Sequence, residues 1–305
     1  MSDLSIVIIS FNTKKITKDC LDSLLEHTHN LDYEIVVVDN ASSDGSRDLL
    51  SKYAFHNKKI KLVKSHENIG FAKANNLGVI NSSGKYILFL NSDTYFKSDI
   101  LADMVEWMDE NPKVGIASCA LRNKDGSLQG TGGYFPTLLR VLSWMTIQDL
   151  PFVDRIIKPF HPMKEKSLTK NERFYTKQRT LDWVTGAFML VRRKLVDEGL
   201  SWDEDYFMYT EDVDYCFGAK EMGYMVYYLP GWSIVHLGGK SGTKEFSVLS
   251  EFRGVKLFYE KHYPKYKMLP LRLILKIGCF ARMVVYGFFD GKATYKVYAK
   301  AFMEV

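Results

Sequence analysis

Three short stretches carry side chains able to do chemistry. The first is Tyr86-Ile87-Leu88-Phe89-Leu90, an unbroken apolar run that stops at Asn91-Ser92-Asp93. A run this short reads as a strand covered on both faces, and the polar triplet then sits at its carboxyl end, where open α/β sheets bind ligands. Asp93 is a hard oxygen donor suited to holding Mg²⁺ or Mn²⁺ against a diphosphate. Asn, Ser and Asp also favour turns and helix caps, so the triplet taken alone reads as well either way.

The second stretch is Tyr206-Phe207-Met208-Tyr209-Thr210-Glu211-Asp212-Val213-Asp214. Three carboxylates fall within one turn at a helix start, a place the helix dipole favours for acids in any case. The chemical reading is that one of them is a general base, its pKa raised by the aromatic neighbours toward working pH. The third stretch runs from Gly231 to Gly242 and ends a strand at His236. A lone His is usually structural, but this one precedes a Gly-rich loop, which gives it the look of a metal or phosphate contact. Gly238, Gly239 and Gly242 would let that loop fold over a phosphate, with Lys240 supplying charge.

These residues need a scaffold, and the preceding chain supplies its pattern. Leu4–Ile9 and Tyr33–Val38 are further buried strands, ending at Ser10-Phe11-Asn12 and at Asp39. Ile60–Val63 and Val114–Ser118 read as strands as well. Helices are expected over 14–26, from about Ser43 to Tyr53, from Gly70 through Val79, and over about 98–110, where Asn111-Pro112 stops the last. Strand–helix alternation at this spacing predicts a mostly parallel α/β sheet with right-handed crossovers. Asp39 and Asn12 then join Asp93 on one sheet edge, a polar crest over an apolar sheet. Beyond it, 121–128 looks like a hairpin around Asp125-Gly126. From Phe135 to Arg179 no period holds; the stretch reads as a long segment lining an acceptor site or as a small helical insertion. Regular structure resumes over Leu181–Arg192, and a helix over about 211–222 and strands at 224–229 and 232–235 follow.

The chain has 305 residues, enough for one large α/β domain or two small ones. Its four cysteines are far apart and form no C-x-x-C pair, which points to a reducing compartment and away from a disulfide framework or zinc site. The first residues lack a basic n-region, so no signal peptide is expected. Net charge is +5 and unevenly spread: Arg253–Val305 carries +8 and the rest −3.

The motifs in order, Ser10-Phe11-Asn12, Val38-Asp39-Asn40 through Ser46, Glu67-Asn68-Ile69-Gly70 through Gly78, Asn91-Ser92-Asp93, Gly186-Ala187 and Glu211-Asp212-Val213-Asp214, resemble those of the family 2 glycosyltransferases, inverting enzymes of the GT-A fold. The bacterial rhamnosyltransferase-like branch is the most similar in flavour, and the resemblance covers roughly residues 4–242. It implies a GT-A catalytic domain over 1–242, with a nucleotide-sugar half to about 118 and an acceptor half from about 119. Residues 243–305 would form C-terminal basic amphipathic helices.

Roles follow for the matching positions. Asp39 would bind the base or ribose of the nucleotide-sugar donor, beside Ser10, Phe11 and Asn12; Asn68 and Gly70 would shape that pocket. Asp93 would end the metal motif, whose first acid is Asn91 here, so Mg²⁺ or Mn²⁺ would lean on Asp93, His236 and the diphosphate, with Ser92 and Lys240 near the donor. Asp212 would be the catalytic base, with Glu211 supporting it. Gly186, Ala187 and Trp183 would sit under the acceptor, a glycan or lipid-linked hydroxyl. The donor implied is a dTDP- or UDP-sugar, with rhamnose as the branch's suggestion. No nucleic-acid partner is implied.

Two other classes are possible. A nucleotidyltransferase needs a Gly-rich basic loop after the first strand, and Ser10-Phe11-Asn12-Thr13-Lys14-Lys15 has no Gly. A non-catalytic carbohydrate- or partner-binding module need not keep Asp93, Asp212 and His236 together.

The tail from about Met268 has two readings. Arg272, Lys276 and Arg282 share an arc of about 120° on a largely apolar helix. Lys292, Lys296 and Lys300 recur opposite Tyr295, Val297, Tyr298 and Phe302. This suits an anionic membrane surface on the cytoplasmic side, or a helical pair packed on the domain with a solvated basic edge.

Overall fold

The computed structural model describes residues 2–148, 150, 153–162, 172–238 and 243–305. In chain order the elements are β1 (Leu4–Ser10), α1 (Lys14–Glu26), β2 (Tyr33–Asp39), α2 (Ser46–His56), β3 (Ile60–Lys64), α3 (Phe71–Ile80), β4 (Tyr86–Asn91), β5 (Thr94–Tyr95), α4 (Leu101–Glu110), β6 (Val114–Arg122) and β7 (Gly132–Gly133). They continue with α5 (Leu138–Met145), α6 (Val153–Ile156), β8 (Arg179–Leu181), β9 (Trp183–Val184), β10 (Phe188–Arg192), α7 (Arg193–Asp197), α8 (Glu211–Glu221), β11 (Met225–His236), α9 (Lys244–His262), α10 (Met268–Asp290) and α11 (Lys292–Glu304).

The main sheet has the order β3-β2-β1-β4-β10-β6-β11-β5. Because a strand's side chains alternate between faces, β1 feeds two cores. Ile6 and Ile8 face α1 and α4 with Leu21, Leu24 and Met104. Val7 faces the other way, into a larger cluster that reaches Trp202, Tyr215 and Phe258. Gly78 of α3 lets that helix lie directly on β1, where a β-carbon would strike the Val7 side chain.

The sheet is mixed rather than uniformly parallel. β10 runs antiparallel to both β4 and β6. After β6 the chain reverses, adds β8 antiparallel to β11 at the sheet's other margin, and enters β10 from the carboxyl ends of the parallel strands. The start of β10 therefore lies where β4 finishes, and the Asn91 N–H donates to the Ala187 carbonyl at 3.0 Å. The two strands expected over 224–235 are one, β11, with a bulge between Leu229 and Ser233. β11 lies parallel to β6 and its end pairs antiparallel with β5, setting His236 opposite Thr94.

The 135–179 stretch contains α5 and α6 among its described residues. The last three helices pack on the larger core through Phe252, Val255, Leu271, Leu275, Tyr298 and Ala301. Val297 and Tyr298, expected on the apolar face of α11, point into this packing. Among the described residues no helix is long and apolar enough to cross a membrane.

Candidate active site

A pocket of about 770 Å³ opens along the carboxyl edge of β1, β4 and β11, within the size range of small-ligand sites. It gathers Phe11, Asn68, Gly70, Asn91, Ser92 and Asp93 from the first half of the chain with Trp183, Gly186, Ala187, Glu211, Asp212 and His236 from the second. Lys240 and its neighbours Gly239 and Gly242 lie outside the described residues.

At the end of the pocket lined by Phe11, Asn68 and Gly70, Gly70 adopts φ +81°, and a β-carbon there would lie 2.7 Å from the Phe207 carbonyl oxygen. The turn is held by two amides: Asn40 Nδ2 donates to Asn68 Oδ1 at 2.9 Å, and Asn68 Oδ1 also accepts from Gly70 N at 3.1 Å. Asn40 had no assigned role in the sequence reading, yet it organises this wall. Asp39 is fully buried behind it, paired with Arg47 Nε at 2.7 Å and accepting from Ser42 N. Ser10 is likewise buried and bonds Thr17. Asn12 faces the adjoining loop, where its side chain accepts from Ser43 N. These three lie outside the pocket wall, whereas Phe11, 41% exposed, stands on its rim.

Asp93 and His236 meet because β5 pairs with the end of β11. The Leu237 N–H donates to the Asp93 carbonyl, and Asp93 Oδ1 lies 3.2 Å from His236 Nε2. Gln129, which sequence reasoning passed over, fixes the ring. Its Nε2 donates to the His236 carbonyl and to Asn123 Oδ1, so its Oε1 must be the atom 2.8 Å from His236 Nδ1. Nδ1 then carries a proton, which leaves Nε2, facing the Asp93 carboxylate, as the ring nitrogen available to ligate a cation. Such a His–carboxylate pair fits a cation: cis ligands of an octahedral ion at ~2.1 Å stand about 3 Å apart. Among the described residues no third His, Cys, Asp or Glu completes a cluster. Mg²⁺ and Mn²⁺ tolerate that, since they keep positions for water and phosphate oxygens.

Across the pocket, Tyr209 and Thr210 both have left-handed backbone (φ 72° and 73°), and this strained pair launches α8. The three acids that follow separate into three roles. Asp214 faces away and anchors α9, with Oδ1 2.6 Å from His262 Nε2. Glu211 is 6% exposed and its Oε2 has no partner. Burial, reinforced by the neighbouring Asp212 charge, pushes its pKa well above the usual carboxylate range. Asp212 is partly buried on the pocket wall. Gly186 N–H donates to its Oδ2 at 3.3 Å and Val213 N–H to its Oδ1 at 2.9 Å. Burial raises its pKa to about 6 against these donors. The two adjacent carboxyls thus sit in different environments: burial without a partner drives Glu211 further up than Asp212, which two backbone N–H groups hold lower.

The remaining wall is aromatic. Trp183, Phe160 and His161 pack together, with the His161 ring 5.1 Å from Trp183, and His161 Nε2 lies 2.8 Å from Glu251 Oε1 of α9. His161 and Glu251 gave no signal in the sequence, since each is a lone polar residue whose place depends on long-range packing.

The fold and this constellation define a GT-A glycosyltransferase scaffold. The family model for Glycosyl transferase family 2 matches residues 5–200, and the chain belongs to that family. It is 26% identical to the rhamnosyltransferase WbbL of Escherichia coli, over 79% of this chain and 86% of that one. It is 33% identical to the putative teichuronic acid biosynthesis glycosyltransferase TuaG of Bacillus subtilis, over 43% of this chain and about half (49%) of TuaG. In structure it is similar to the mannosyltransferase PcManGT of Pyrobaculum calidifontis in complex with GDP-Man and Mn²⁺ (TM-score 0.57, 16% identity, 98% of this chain and 74% of that chain). GalNAc-T7 with UDP, GalNAc and Mn²⁺ is a second such neighbour (TM-score 0.60, 15% identity, 86% and 49%).

Proposed function

We propose that this family 2 enzyme transfers a sugar from a dTDP- or UDP-sugar to a hydroxyl of a lipid-linked or polysaccharide acceptor, with inversion, in bacterial cell-surface glycan synthesis. The observation that carries the reading is the placement of Asp212, with its pKa near 6, on the same pocket as the Asp93–His236 pair. The rhamnosyltransferases among its relatives favour rhamnose as the sugar. A lipid-linked acceptor places the work at the cytoplasmic face of a membrane.

The chain's own groups divide the task. Asn68, Gly70 and Phe11 enclose the nucleoside, with Asp39 and Asn12 supporting their loops and Ser10 the strand beneath. Asp93 and His236 would hold Mg²⁺ or Mn²⁺, and Asn91 and Ser92 line the same edge beside the diphosphate. The ion, when bound, neutralises charge on the departing nucleoside diphosphate. Asp212 takes the proton from the acceptor hydroxyl as it attacks the anomeric carbon from the face opposite the leaving group. One displacement inverts the configuration, so no enzyme nucleophile is needed. Glu211, its pKa raised by burial, resists ionising and so limits the negative charge beside Asp212. Trp183, buried against Phe160 and His161, backs the wall on which the acceptor would lie, with Gly186 and Ala187 in the same lining.

A thermal-shift screen of nucleotide sugars with and without Mg²⁺ or Mn²⁺ tests this. A ligand that binds the folded state alone raises the melting temperature. The expected result is a metal-dependent rise with a dTDP- or UDP-sugar, and no rise with any nucleotide sugar overturns the reading.

A further inference from the structure

We propose that the outward face of α10 is the surface by which the enzyme docks on an anionic lipid bilayer; this rests on the lipid-linked-acceptor reading and assigns it a place on the molecule. α10 is apolar on two opposite faces. Inward, Leu271, Leu275 and Cys279 are fully buried, and Gly278 packs so closely on α5 that a β-carbon would run into Met145. Outward, Leu269, Leu273, Ile277, Phe280, Val284 and Phe288 are each 53–84% exposed. At 100° per residue these six share an arc of about 100°. Nothing among the described residues covers them. A stripe of this size is not ordinary surface for a soluble domain, and it calls for an apolar partner.

Charge identifies the partner. From Tyr263 to Phe289 there are five Lys or Arg and no Asp or Glu. Arg282 turns inward, donating to the Trp144 carbonyl at 2.7 Å. Arg272 is exposed and Lys276 half-buried, and both flank the outward stripe on one side. A second copy meeting this face across a two-fold axis would bring like charges together. An anionic bilayer accepts both features: the stripe enters the headgroup–acyl boundary and the flanking cations stay among the phosphates. The face is also tied to the pocket. The Arg282 guanidinium lies 4.9 Å over the Trp144 ring, and that ring is 5.6 Å from His161 on the acceptor wall. One side-chain layer thus separates the docked helix from the place an acceptor hydroxyl must reach.

The test is co-sedimentation of the full chain with vesicles of phosphatidylcholine alone or mixed with phosphatidylglycerol. Wild type should pellet with the mixed vesicles at low salt. The triple variant Leu273→Ser/Phe280→Ser/Phe288→Ser should partition at least about tenfold less, and Arg272→Gln/Lys276→Gln about tenfold less. The triple variant should keep the wild-type melting temperature, because its three side chains are exposed; the double variant should stay folded, losing at most the Lys276 contact with the Phe302 ring. Wild type left in the supernatant, or a triple variant that pellets like wild type, overturns the proposal. So does light scattering that finds a wild-type dimer which the triple variant reduces to a monomer, since that gives the face to a second copy. The thermal shift with a dTDP- or UDP-sugar and Mg²⁺ is read on the same samples. A donor shift without vesicle binding defeats the docking face alone; vesicle binding without any donor shift defeats the transferase reading alone.

Discussion

Gly254 of α9 packs its α-carbon against Thr210: a β-carbon there would lie 2.7 Å from Thr210 Cβ and 2.8 Å from the Tyr209 carbonyl oxygen. α9 thereby braces the two left-handed residues that aim Glu211 and Asp212. Gly254→Val forces that contact apart. It should cost about 1–3 kcal/mol by overpacking and lower turnover more than donor affinity. Melting temperature, donor thermal shift and kcat measured together check this; a variant with wild-type kcat would detach α9 from the catalytic turn.

Asp212→Asn keeps shape and loses basicity. Turnover should fall by about 10²–10⁴ while donor binding persists. If Glu211→Gln is the inactive variant and Asp212→Asn turns over normally, the base is Glu211.

The same group makes a prediction on stability. Its folded pKa of about 6 lies above its ordinary value of 3.8, so its contribution favours folding below pH 3.8 and is lost as pH rises through about 6. At pH 7 the ionised carboxylate therefore opposes folding. Asp212→Asn should melt a few degrees higher than wild type at pH 7, and the difference should shrink toward pH 4. Two-point thermal melts decide this, and a lower melting temperature at pH 7 would contradict it.

Activity follows the opposite limb. With Asp212 required as the carboxylate, kcat/KM should drop tenfold per pH unit below about 6. A flat profile between pH 5 and 7 would remove Asp212 as the titrating base.

Gln129→Leu removes the partner of His236 Nδ1 without touching the ligand atoms. Outer-shell changes of this kind typically weaken metal binding by about 10–100-fold. The Mn²⁺ concentration for half-maximal transfer should rise accordingly, and Asp93→Ala should abolish transfer with the fold intact. Full activity of Asp93→Ala, or of wild type in excess EDTA, would rule out the metal role.

Strand ends were the readable part of this sequence. Apolar runs that stop abruptly marked Asp93 and His236, and an acidic cluster after aromatics marked Asp212; the structure brings all three to one pocket. What stayed hidden depends on pairing across long separations. The buried Phe188–Val191 run looks the same in either direction, because a strand covered on both faces loses the alternation that would mark it as antiparallel. Gln129 and Asn40 are single polar residues whose roles depend on the strand ends and loops beside them. In α10 apolar residues lie all round the helix, so sequence periodicity could not say which side turns inward.

The pairing of β11 with β5 also sets a timetable. β11 slots between β6 and β5, so until it leaves the ribosome both of those strands expose open edges. A nascent chain can assemble the β1–β4 half early, while Asp93 still lacks His236 and the pocket still lacks Asp212. α9 and its brace on Thr210 come later still. The pocket is therefore completed only by the last third of the chain, and a chaperone that shields the β6 edge during that interval should raise the yield of folded protein more than one acting on the first hundred residues.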